Sequence, residues 1–143
     1  LVLAATVVGA VRVIAPLELL DTSVTGAHFA LLLGAVILGL GAGFHHWGED
    51  LVGPEGRRPG MFLLGGLAVA GGTALVGAAD LVSGLMDQAD FTGVDLATAG
   101  NPDSAVDGLN LVSMIGSFAL LAGLALWILN GSLHTAANRK VAA

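Results

Sequence analysis

"VTGAHFALLLGAVILGLGAG", Val24 to Gly43, carries a single ionisable side chain, His28, in twenty residues. About twenty mostly apolar residues is the length a helix needs to cross the hydrocarbon core of a bilayer. In lipid the backbone must satisfy its own hydrogen bonds, so such a stretch reads as a transmembrane helix. Two further runs have the same character, "MFLLGGLAVAGGTALVGAADLVSGLM" from Met61 to Met86 and "LNLVSMIGSFALLAGLALWILN" from Leu109 to Asn130. The opening "LVLAATVVGAVRVIAPL", residues 1–17, is shorter and contains Arg12. It reads as the end of a fourth span. The chain starts with Leu inside an apolar run, without the Met and basic residues that open a signal peptide. This reads as a cut end, and a fragment of a longer polypeptide is expected. The fold class expected over residues 1–143 is an all-α, polytopic transmembrane helical bundle with three complete spans and one partial span.

The composition agrees. The chain is 55% hydrophobic and 11% charged, with a mean hydropathy of +0.88. Soluble domains carry about 25% charged residues. The 22 glycines favour close helix packing, because small residues let helix backbones approach in a membrane. Gly34, Gly41, Gly65, Gly72 and Gly116 are therefore expected to face other helices. The absence of cysteine excludes disulfides, thiolate metal ligands and iron–sulfur clusters within the chain. A formal charge of -6 with a single lysine argues against a nucleic-acid partner.

The connections set the orientation. Four of the five basic residues are Arg57, Arg58, Arg139 and Lys140. The segment Asp87–Gly108 has five Asp and no Lys or Arg. By the positive-inside rule the Arg57–Arg58 loop and the C-terminus are cytoplasmic, and the acidic loop and Asp21 lie outside. An integral protein of a prokaryotic plasma membrane is expected.

Several side chains carry possible chemistry. His28, near the outer end of its span, can ligate a metal or haem iron, satisfy a backbone carbonyl of a neighbouring helix, or reach lipid headgroups. Asp21, beside Thr22 and Ser23, is an ordinary helix N-cap or a metal ligand. Asp80 is a proton-relay group or a carboxylate reaching the outer surface. Arg12 sits where its long side chain reaches the interface. His45 and His46 diverge by about 100° on a helix and chelate one ion poorly, and Trp47 beside them suits an interfacial anchor.

The segment Pro16…Asp21-Thr22-Ser-Val-Thr-Gly-Ala27-His28-Phe29 resembles the proline, Asp-Thr and Ala-His-Phe pattern of subunit I of haem–copper (cytochrome c) oxidases. "WGEDLVG", then "NPD" and "NLVSMIGSF" from Asn110 to Phe118, follow in the order of that family. The resemblance covers about Thr6 to Leu133 and implies the end of the ninth helix through the twelfth of a twelve-helix fold. It implies respiratory electron transport, with oxygen reduced to water at a haem–copper centre and protons translocated. It also implies a high-spin haem held by His28, copper held by helices outside this chain, and a magnesium ion near Asp21. The implied partners are the missing N-terminal helices, other oxidase subunits, the lipid membrane, and cytochrome c or quinol as electron donor. No catalytic residue is assigned, and the chain alone is not expected to be active.

Three positions depart from the family. Ala30 stands where a second histidine holds the low-spin haem, Leu20 where a histidine adjoins the magnesium site, and Asp87-Gln88 where an arginine pair meets haem propionates. A nitric oxide reductase-like relative, a non-catalytic paralogue without haem sites, and an unrelated small helical membrane protein are the alternatives.

Overall fold

The computed structural model describes residues 1–13, 23–54, 58–86 and 102–141. Among them the chain forms four helices, α1 (Val2–Arg12), α2 (Ser23–Val52), α3 (Pro59–Met86) and α4 (Pro102–Val141). Segments of α2, α3 and α4, Ser23–Gly48, Pro59–Met86 and Asp107–Lys140, are long and apolar enough to cross a membrane. With eleven residues, α1 spans only about 16 Å, roughly half the hydrocarbon core.

The helices outlast the apolar runs that announce them. His45–Val52, beyond the apolar run that ends at Gly43, continues α2, and α4 runs eleven residues beyond Asn130. Beyond the hydrocarbon nothing requires a helix to stop until its residues or contacts demand it. Here α2 ends at Gly53, whose φ of +106° lies in the region where a side chain is strained.

α3 packs between the other two long helices and makes its most extensive interface with α4. The reason is a pair of glycine contacts. A Cβ on Gly72 would fall on the Gly116 carbonyl oxygen and 2.6 Å from the Leu120 nitrogen, and one on Gly123 would lie 2.6 Å from the Gly65 oxygen. Backbone thus rests on backbone at two points seven residues apart on each helix, which is two turns, so both contacts fall on one seam. The descending pairs, 65 with 123 and 72 with 116, make the helices antiparallel. Pairs 24 with 84, 31 with 77 and 34 with 73 do the same for α2 and α3. α2 and α4 therefore run parallel, and they touch where Trp127 meets Gly41 and His134 meets Gly48. All five glycines expected to face other helices do so.

At the opposite end Ala5 and Val8 of α1 form a small buried core with Val24, Ala27 and Leu31 of α2, covered by Leu81 and Leu85 of α3. Many large apolar residues remain exposed, among them Leu40, Leu63, Phe118 and Ile128. A face of this kind suits lipid rather than water.

Candidate functional site

His28 sits on the second turn of α2 and faces α1. Its Nδ1 lies 2.8 Å from the Ala5 carbonyl oxygen. Gly9 makes this approach possible, since a Cβ there would lie 2.6 Å from the imidazole Cε1. The Phe29 ring meets the imidazole edge-on, with centroids 5.6 Å apart. A carbonyl only accepts, so Nδ1 carries the proton. A neutral imidazole then keeps the Nε2 lone pair for a donor or a metal. Metal-binding histidines commonly donate their other ring N–H to a carbonyl, which fixes tautomer and ring orientation.

With Nδ1 taken by the Ala5 carbonyl, this donor set would offer a haem iron one nitrogen. It does not offer two, because position 30 is alanine and the next histidine on α2, His45, lies seventeen residues away, about 25 Å along the helix. Among the described residues no three His, Asp or Glu side chains gather as a metal site. Asp21, Leu20, Asp87 and Gln88 lie outside the described residues, as does the side chain of Arg12. Asp80 is half-buried, and its Oδ2 would lie 3.2 Å from a Cβ on Gly26, so the carboxylate rests against α2.

A second polar cluster lies at the other end of the bundle. His134 is buried, and its Nε2 bonds the Gly53 carbonyl. Asn138 donates to the His134 carbonyl at 2.9 Å and more weakly to Gly53. The end of α2 is thereby fastened to α4, which sets the Arg58 loop and Arg139 at the same end. Two turns deeper, Trp127 Nε1 donates to the Phe62 carbonyl at 2.8 Å. The rings of His45, Phe62 and Trp127 stack, with centroid separations of 3.9 and 5.3 Å. His46 instead is exposed beside Trp47, so the two adjacent histidines diverge as helix geometry requires.

These α4 residues were not singled out from sequence, although a signal exists. Asn130, His134 and Asn138 stand at i, i+4 and i+8, one polar stripe on the end of an apolar helix. Asn130 and His134 border a cavity of about 430 Å³ between α2, α3 and α4, whose walls include Ile37, Phe44, Leu124 and Ile128 and whose polar lining is His45, Asn130 and His134.

The class these observations define is an all-helical protein with a lipid-facing exterior. Neither a protein-family model nor a curated protein nor a solved structure matches the chain.

Proposed function

We propose that the chain is the C-terminal part of a divergent subunit I of the haem–copper oxidase type, and that His28 provides the axial bond to its high-spin haem. The observation that carries this reading is the contact of His28 Nδ1 with the Ala5 carbonyl. It holds the ring against α1 in the tautomer that leaves Nε2 as ligand. An unpartnered imidazole inside an apolar span would be costly, and α1 relieves half of that cost while a metal would use the other nitrogen. The order of the Asp21-Thr22, Ala27-His28-Phe29 and Asn110–Phe118 motifs supports the same assignment. A bound haem would supply the iron at which oxygen is reduced. This chain's part is to hold and orient one ligand, with Asp21 a candidate magnesium ligand at the outer end and the copper ligands on other helices. The Arg58 and Arg139 end is assigned to the cytoplasm by its charge, in a prokaryotic plasma membrane.

One other reading has an observation in its favour. His28 already has a protein partner, and Ala30 removes the second family ligand, which is what a paralogue retaining the bundle without haem would show. Haem analysis of the protein purified from its native membrane, beside His28→Ala, separates the two. The oxidase reading expects haem in the parent and its loss in the variant. Equal haem content in both removes the assignment.

A further inference from the structure

The cavity between α2, α3 and α4 lies across the end of the apolar run of α4. Its walls run from Leu124 to His134 on α4, ten residues or about 15 Å, with Asn130, the last residue of the apolar run, between them. A shallower cleft shares Phe44, Ile128 and Gly131 with it and continues past Ser132 and Thr135 to Arg139. Arg139 lies five residues, about 7 Å, beyond His134, on the headgroup side of the apolar run, where its long side chain can reach back toward the lipid interface.

The chemistry follows the same gradient. The deep part is mainly aliphatic and aromatic, with the His45 ring stacked on Phe62 beside Trp127. Hydroxyl groups of Ser132 and Thr135 stand at the shallow part, and a guanidinium stands at the mouth. Asn130 lines the deep cavity about nine-tenths buried, and its Oδ1 has no hydrogen-bond partner among the described residues. A buried amide without a partner is costly, and a half-turn of the carboxamide exchanges its donor and acceptor toward the cavity. Leu40, Phe44 and Ile128, which border the opening, are each more than half exposed. The groove therefore opens sideways to lipid.

We infer that this groove is a binding site for one anionic phospholipid of the leaflet at the Arg58 and Arg139 end. One acyl chain fills the cavity beside Trp127, the ester region lies near Asn130, and the phosphate meets Arg139. Neither the haem nor the oxidase assignment is needed for this site.

Trp127 lines the cavity and provides the readout. The full chain, carrying Trp47→Phe so that Trp127 is its sole tryptophan, is reconstituted in phosphatidylcholine. Phosphatidylglycerol brominated at mid-chain is then titrated into the bilayer as a contact quencher. The expected result is saturable quenching at low mole fraction. Gly131→Leu plugs the waist of the groove. An added Cβ there meets only Phe44, at an ordinary 3.6 Å. It should abolish the saturable phase. Arg139→Gln should keep that phase but raise the half-saturating mole fraction about fivefold, as loss of one basic contact to an anionic lipid predicts. Quenching that rises linearly in the parent means passing contact with bulk lipid and overturns the proposal. So does an unquenched Trp127, which would mean that another protein segment fills the groove. Equal saturation by brominated phosphatidylcholine would overturn the charge assignment.

Discussion

Replacing Gly72 by alanine tests whether backbone contact holds α3 to α4. The added Cβ would meet the Gly116 oxygen and, at 2.6 Å, the Leu120 nitrogen. Both are backbone atoms that no rotamer change can move. Ordinary contact begins at 3.4 Å, so the helices must part locally by about 1 Å to clear the Gly116 oxygen. A gap of about 0.5–1 Å forfeits a quarter to a half of the dispersion energy of the atoms facing it. Overpacking of this kind costs about 1–3 kcal/mol, against which alanine gains up to about 1 kcal/mol in helix propensity. The expected net loss is up to about 2 kcal/mol, and the difference from a propensity-only change at an open glycine is about 1–3 kcal/mol. Gly71 is the internal control, since a Cβ there meets nothing within 4 Å. Reversible unfolding in mixed lipid–detergent micelles, followed by helical circular dichroism, measures both variants. Gly71→Ala should be neutral or slightly stabilising and Gly72→Ala clearly less stable than that control. Equal stabilities would refute the seam.

Thr73 is fully buried against Gly34 with its Oγ1 unpartnered among the described residues. Thr73→Val should therefore raise stability by about 1 kcal/mol, the low end of the penalty for an unmet buried polar group, and a loss of stability in the same unfolding assay would show that the hydroxyl has a partner. Gly53→Ala combines a strained φ with a clash against the Asn138 side chain. It should cost at least about 1–2 kcal/mol and loosen the cap, seen as faster amide exchange near Val52; unchanged exchange contradicts the fastening described for His134 and Asn138. For orientation, a membrane-impermeant thiol reagent applied to intact cells should label Thr92→Cys but not Gly56→Cys, and the reverse pattern would invert the assigned topology.

What could be read from sequence follows from how strictly the environment dictates it. Lipid demands about twenty apolar residues per crossing, so all three long helices were visible. Their ends were not, because outside the hydrocarbon no such demand operates. His45–Val52 stays helical, and α4 extends until Asn138 and His134 have bonded Gly53. His28 stood out as an ionisable group in an apolar run, yet its partner did not, since a backbone carbonyl such as that of Ala5 leaves no mark in sequence. The glycines were legible as packing residues, whereas the pairing of Gly72 with Gly116 needed the register of two helices. Asp80 was weighed as a relay or as a surface-seeking group; its contact with Gly26 depends on helix rotation, which composition does not encode. The cavity beside Asn130 arises from the gap between two parallel helices and has no sequence motif beyond the i, i+4, i+8 polar stripe.

The proposed role of His28 is tested most directly by low-temperature paramagnetic resonance of the oxidised protein purified from its native membrane. A single imidazole ligand, with alanine at position 30, predicts a high-spin ferric haem signal that disappears in His28→Ala, and no low-spin bis-histidine signal. A low-spin bis-histidine spectrum, or a haem signal unchanged by His28→Ala, would contradict the account.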